Sequence, residues 1–216
     1  MKTEKINRKE FLKKVAMGLV SIPLIIQGCS TEAESQMTNH CGLTDSATEG
    51  PFFVSNTPES VNINFTNLPG KPMKVKGTVY GGKDGETPLA NAKIEVWHCD
   101  GEGVYYPEGS GDISRYKNSD IALRGHVFTN QKGEYAFHSI QPGLYTGRRR
   151  HIHYKITAKN HQELTTQSYW LSEKGDERER YDRTDRNTEA CRYIDFKGDG
   201  KNGIEGTFDI YLKQIG

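Results

Sequence analysis

The sequence has no long hydrophobic run. Its most apolar stretch, residues 15–26, is 12 residues long, short of the ~20 a helix needs to span a bilayer. Apolar residues make up only 34% of the chain, which argues against a helical bundle. Cysteine is sparse, four in all, and no two stand as Cys-x-x-Cys. The usual pattern of a structural zinc site is therefore missing. Neither sign of charge dominates, with 29 Lys and Arg against 28 Asp and Glu, so nothing favours a nucleic-acid partner. No internal repeat is present. What the chain has in excess is glycine, 23 of 216 residues. Glycine-rich turns between short runs of Val, Ile, Tyr and Phe suit a β-domain.

The N-terminus reads as an address. Residues 1–14 are basic and precede the apolar run, the order of an export signal. The run ends in Ile26-Gln27-Gly28-Cys29, which resembles a bacterial lipobox. Residues 1–28 are thus expected to be a lipoprotein-type signal peptide. Cys29 would carry the lipid and be the sole attachment to a membrane, placing the protein in a bacterial cell envelope, periplasmic or surface-facing. Residues 7–13 also resemble a twin-arginine export signal, with Lys9 in place of the second arginine. Residues 29–40 are polar and form a tether, and residues 41–216 form one domain; without residues 1–28 the chain carries 23 basic and 26 acidic residues, a net charge of −3, soluble in character. Export permits disulfides. Cys41, Cys99 and Cys191 allow one bridge, in three possible pairings.

Strand-like runs cover residues 73–80, 92–99, 125–129, 134–140, 152–158 and 206–212. In the second of these, Ile94, Val96 and His98 share one face, and Glu95, Trp97 and Cys99 share the other. Residues 125–129 and 134–140 read as a hairpin through the turn at 130–133. The spacing predicts a β-sandwich with long functional loops. The charged stretch 173–186 (EKGDERERYDRTDR) reads as a solvated loop or short helix with paired charges. The triplet Arg148-Arg149-Arg150 is too short for a nucleic-acid patch. Residues 195–205 read as a turn, because a calcium loop needs acidic ligands where Lys197 and Gly206 stand.

The chemistry concentrates at His151-Ile152-His153. Period two puts both imidazoles on one face of a strand, a geometry that suits a metal. Tyr145 lies just upstream in Pro142-Gly143-Leu144-Tyr145, and Arg148 stands three residues before His151. Tyr116 follows in a Gly-rich loop after the Trp97-His98 strand. Phenolate is a hard anionic donor and suits a hard trivalent cation.

All of these except Tyr116 fall in an ordered series of motifs: Thr48-Glu49-Gly50-Pro51-Phe52-Phe53, Gly77-Thr78-Val79, AKIEVWH (92–98), GEGVY (101–105), TNQKGEY (129–135), the Pro-Gly-x-Tyr turn, RRRHIHY (148–154) and TQSYWL (166–171). The series resembles the intradiol ring-cleavage dioxygenases, the family of catechol 1,2-dioxygenase and protocatechuate 3,4-dioxygenase. The resemblance implies an all-β, transthyretin-like antiparallel β-sandwich and a mononuclear non-haem Fe(III). It implies Tyr116, Tyr145, His151 and His153 as ligands, with Tyr105 and Tyr106 open alternatives to Tyr116. Tyr145 would also be the general base, and Arg148 the cation facing negative charge on the ring. The implied partners are a catechol-type small molecule and dioxygen, and the implied product is a cis,cis-muconate-type diacid. Residues 49–54 and 105–116 are expected to line the pocket. The oligomeric state stays open. One departure stands out: Arg149 occupies the place where the family often has proline. Two other readings are a non-catalytic lipid-anchored binding module on the same sandwich, and a zinc hydrolase built on His151 and His153.

Overall fold

The computed structural model describes residues 41–82, 85–199 and 201–216. The signal peptide, Cys29 and the tether up to residue 40 lie outside these described residues. The strands are β1 (Val54–Ser55), β2 (Pro72–Gly81), β3 (Thr87–Pro88), β4 (Lys93–Trp97), β5 (Gly111–Asp112), β6 (Arg124–Phe128), β7 (Glu134–Ile140), β8 (His151–Thr157), β9 (Leu164–Trp170), β10 (Tyr193–Ile194), β11 (Ile204–Thr207) and β12 (Ile210–Tyr211). One short helix, α1 (Glu177–Tyr181), stands among them.

Two five-stranded sheets make an all-β sandwich. One has the order β10-β9-β8-β4-β6, and the other is built around β2, which pairs with β11, β12, β3 and β7. The core lies between them, with Ile94, Val96, Ile152, Tyr154 and Ile156 from the first sheet and Met73, Val75, Val79, Phe137 and Ile210 from the second. Each fully buried aliphatic side chain contributes roughly 1.5–3 kcal/mol. β2 alternates buried and part-exposed positions along its length, as a half-solvated strand should. β4 and β8 are buried on both faces over most of their length. Their second face carries the candidate site, and loops cover it.

Two expectations are corrected. Residues 125–129 and 134–140 do not form a hairpin. β6 pairs with β4 in the first sheet, whereas β7 pairs with β2 in the second. The turn between them crosses the sandwich and is held from both sides. Thr129 Oγ1 donates to the Leu89 carbonyl and accepts from the Ala92 N–H, while Asn130 Oδ1 accepts from the Lys132 and Glu134 N–H groups. The C-terminal strand is split and joins β2 in parallel rather than antiparallel fashion. Between β11 and β12, Asp209 Oδ1 takes the Thr78 N–H, and Tyr135 Oη donates to the Phe208 carbonyl. Side chains there replace one step of the ladder. β10 is also parallel to its neighbour β9.

Candidate metal centre

β8 opens at His151, so its outward face presents His151 and His153 while Ile152 sits in the core. The two rings are 4.8 Å apart at 75°, and each residue is 3% exposed. Register fixes their neighbours. β4 places Trp97 opposite His153, and the two rings stack at 4.8 Å and 7°. β9 places Gln167 on the other side. His151 Nδ1 lies 2.7 Å from the Arg149 carbonyl. A carbonyl only accepts, so the proton is on Nδ1 and Nε2 keeps its lone pair. Burial, reinforced by Arg148, lowers the His151 pKa to about 3. Burial, then His151 and Arg148, holds His153 well below its ordinary value. Both imidazoles are therefore neutral donors at neutral pH.

The nearest phenol is that of Tyr105, with Oη 3.4 Å from His151 Nε2. Its loop is built on Asp100. The Asp100 carboxylate accepts the N–H groups of Glu102 and Val104, both at 2.9 Å. The Asp100 carbonyl accepts from Gly103 at 3.2 Å and from Gly143 at 2.7 Å. One carbonyl thus joins the Tyr105 loop to the turn that presents Tyr145. Gly143 is required there, because a side chain would run into the Gly101 carbonyl. Tyr105 stacks on Phe52 (4.3 Å, 18°) and meets Tyr145 edge to face at 5.5 Å. Burial pushes the Tyr105 hydroxyl far above its usual pKa, while Arg148 and Arg124 pull it back. Tyr145 is half-buried, and its carbonyl accepts from the Arg148 N–H at 2.7 Å.

Of the four expected ligands, the structure brings together Tyr145, His151 and His153. The fourth member of the cluster is Tyr105 rather than Tyr116. Tyr116 follows the 3-10 turn Ile113–Arg115, and its hydroxyl donates to the Ser110 carbonyl at 2.7 Å. Tyr106 points the other way and donates to Asp100 Oδ2 at 2.9 Å.

Arg148 is buried beside the histidines. Its Nε donates to both Asp182 oxygens (2.9 and 3.0 Å), and its Nη2 donates to Gln167 Oε1 (2.7 Å). Gln167 in turn donates to the Thr48 carbonyl at 2.8 Å and lies 3.3 Å from His153 Nδ1. Arg149 lies over the Tyr169 ring at 3.5 Å, and Arg150 pairs with Glu173 at 2.8 Å. Arg124 is 1% exposed and donates to the carbonyls of Phe52 (2.6 Å) and Pro107 (3.0 Å). Its Nε has no partner among the described residues, and burial lowers its pKa to about 10. Gln167, Asp182 and Arg124 were not singled out from sequence. Gln167 lay in plain view in TQSYWL, but its place opposite His153 depends on a strand pairing that the motif does not reveal.

The strap before β1 lies against the histidine face. A Cβ on Gly50 would meet His153 Cε1 at 3.5 Å, and Phe53 packs on Trp97 at 4.9 Å. Cys41 and Cys191 form the one disulfide among the described residues, and Cys99 is free and buried. No group of three His, Cys, Asp or Glu suited to a metal occurs among the described residues. The Tyr105 phenol, 3.4 Å from His151 Nε2, is the further side-chain oxygen that the fold sets beside the histidine pair. Two neutral imidazoles and two phenols fit a hard trivalent ion, since two phenolates leave it one positive charge.

The dioxygenase family model matches residues 48–214, which include the histidine strand and both tyrosine loops. Catechol 1,2-dioxygenase of Acinetobacter baylyi is 30% identical over 142 residues, covering 55% of this chain and 43% of the relative. Hydroxyquinol 1,2-dioxygenase of Nocardioides simplex is 33% identical over 147 residues, covering 59% and 47%. The chain thus spans about half the length of these curated relatives. A solved structure fits more completely. It is the dioxygenase domain of a dioxygenase–carbohydrate-binding protein fusion from Streptomyces sp. SirexAA-E. That domain is 31% identical with a TM-score of 0.63, over 81% of this chain and 99% of its own. With the match running from the strap at Thr48 through the last strand, the chain belongs to the intradiol ring-cleavage dioxygenase family.

Proposed function

We propose that the protein is a non-haem iron(III) enzyme that cleaves a catechol-type ring between its two hydroxyl-bearing carbons, using dioxygen and giving a cis,cis-muconate-type diacid. The observation that carries the reading is the convergence of Tyr105, His151 and His153, all buried, with the half-buried Tyr145 in one cluster. Those four side chains would hold the ion. When bound, the iron supplies a Lewis-acid centre that draws the two catechol oxygens and readies the ring for dioxygen.

The protein's own groups divide the remaining work. Tyr105 is enclosed by Phe52 and the histidines at 2% exposure, so it is the fixed phenol. Tyr145 stands half-buried beside it and is the phenol free to take up a catechol proton at Oη. Nη1 of Arg148 has no protein partner among the described residues and is the donor left for negative charge on the ring oxygens. Phe52, Phe53 and Trp97 close the site with apolar surface and keep water out.

Names of the relatives span catechol, chlorocatechol and hydroxyquinol, and an unsubstituted catechol is the first substrate to try. Oxygen uptake with catechol, matched mole for mole by a muconate-type ultraviolet product, is the expected result. Tyr145→Phe is expected to retain iron and lose ring cleavage by roughly 10²–10⁴-fold. Turnover unchanged by that substitution would remove Tyr145 as the base. An enzyme that takes up no oxygen with any catechol would remove the reading.

We also infer an envelope location with a lipid anchor at Cys29. The Cys41–Cys191 bond supports an oxidising compartment. Labelling cells with a fatty-acid analogue should mark the wild type and spare Cys29→Ala. An unlabelled wild type would overturn the anchor.

A further inference from the structure

The charged stretch after β9 turns two of its carboxylates, Asp182 and Asp185, inward. α1 is capped at its start by Asp176, whose Oδ1 accepts the Glu179 N–H, and it ends at Asp182. The Asp182 side chain is 0% exposed. Its Oδ1 accepts the Thr184 N–H at 3.1 Å, so a turn of the backbone fixes the carboxylate. Both its oxygens face Arg148 Nε at 2.9 and 3.0 Å, and Oδ2 lies 3.5 Å from Arg149 Nε. Arg149 then clamps the same loop from the strand side. It donates to Glu179 Oε1 (2.7 Å) and to the carbonyls of Asp185 (3.1 Å) and Asn187 (2.8 Å). Where the family often has proline, this chain therefore has a second guanidinium that seats the loop.

A planar guanidinium held at Nε by a carboxylate and at Nη2 by Gln167 has no rotational freedom left. Its remaining edge, Nη1, has one direction in which to point. A buried cation also needs a countercharge, and removing that partner alone is strongly unfavourable. Asp182 supplies both the direction and the charge.

We propose that Asp182 is the positioning residue for Arg148, bracketing its Nε edge so that Nη1 stays aimed at the ring-binding place. The proposal rests on the role given to Arg148 above. Asp182 makes no hydrogen bond to His151 or His153, and its closest charged partner is the Arg148 Nε.

The test has two arms. The first needs no activity. In the metal-free, ¹⁵N-labelled protein, one arginine Nε–H signal should be protected from exchange and should vanish in Arg148→Lys. In Asp182→Asn it should exchange at least tenfold faster. An Arg148 Nε–H that exchanges freely in the wild type overturns the proposal, whether or not any Asp182 variant folds. The second arm is kinetic. Asp182→Asn should lower kcat roughly 10–100-fold, the scale of a misplaced group, with KM within about threefold and iron content unchanged. Made on an Arg148→Ala background, the same substitution should change kcat by less than twofold, because the pair acts as a unit. Equal losses on both backgrounds would reduce Asp182 to a structural residue and overturn the proposal. If the wild type cleaves no catechol, the functional reading fails, and the exchange arm still decides whether Asp182 holds Arg148.

Discussion

Tyr105 and Tyr106 are neighbours with opposite duties. One hydroxyl faces His151 and the other binds the Asp100 carboxylate that shapes their loop. The histidine pair was legible in the sequence because it depends only on the two-residue period of a strand. The first tyrosine was not, because the choice among Tyr105, Tyr106 and Tyr116 depends on how residues 100–107 fold around Asp100. Tyr116→Phe should accordingly leave iron content and kcat within about twofold of wild type. A loss of iron in that variant would return Tyr116 to the ligand set. His98 offers a second test at this scale. It is buried between the Cys99 carbonyl and Ser139 Oγ, both at 2.7 Å, and burial lowers its pKa to about 4. The folded state keeps it neutral, whereas the unfolded chain protonates near 6.5. Its contribution is complete above pH 6.5 and is lost as pH falls toward 4, about 3 kcal/mol in all. Urea midpoints of the metal-free protein should fall over that window, and His98→Gln should flatten the fall. Parallel curves for the two proteins would show that His98 does not titrate there.

Alternation along β4 was readable in detail. Ile94 and Val96 join the main core, while Trp97 and Cys99 pack with Tyr105 on the site face. The supposed hairpin was misread, because a short turn between two β-runs looks the same whether the strands pair or part into two sheets. The stretch 173–186 does hold a short helix with paired charges, but the burial of Asp182 and Asp185 was not legible. Charges signal solvent unless their partners are known, and here the partners are Arg148, Arg149 and Arg150, some 30 residues earlier in sequence. Its five-residue helix α1 is held by those arginines rather than by its own length. The turn carrying Tyr145 is equally dependent on its neighbour. Gly143→Ala would press a methyl group onto the Gly101 carbonyl and part the two tyrosine loops. A tenfold or greater drop in kcat/KM is expected, with the β-sheet circular dichroism retained. Full activity in Gly143→Ala would mean that the two loops are not coupled.

For the molecule as a whole, the sandwich is a rigid wall, and the site lies on the outer face of one sheet beneath loops from distant parts of the chain. The Cys41–Cys191 bond closes a separation of 150 residues and ties the start of the domain to the segment holding Arg192. Arg192 in turn meets Asp185 and Tyr169, and its Nε donates to the Gln167 carbonyl at 3.0 Å. Composition and spacing made the sandwich legible, but which of three cysteines pair is a property of the folded whole. Replacing both partners with serine should lower stability by about 3–5 kcal/mol, read as a drop in the denaturant midpoint. An unchanged midpoint would show that packing alone seats the segment.

The most direct measurement is the visible spectrum and metal content of the purified, iron-loaded protein beside Tyr105→Phe. The account predicts about one iron per chain and a reddish tyrosinate-to-iron(III) absorption that shifts when catechol is added. It also predicts that Tyr105→Phe weakens or abolishes both the iron content and the colour. A colourless wild type, or a Tyr105→Phe protein with the full iron content and an unaltered band, would contradict it.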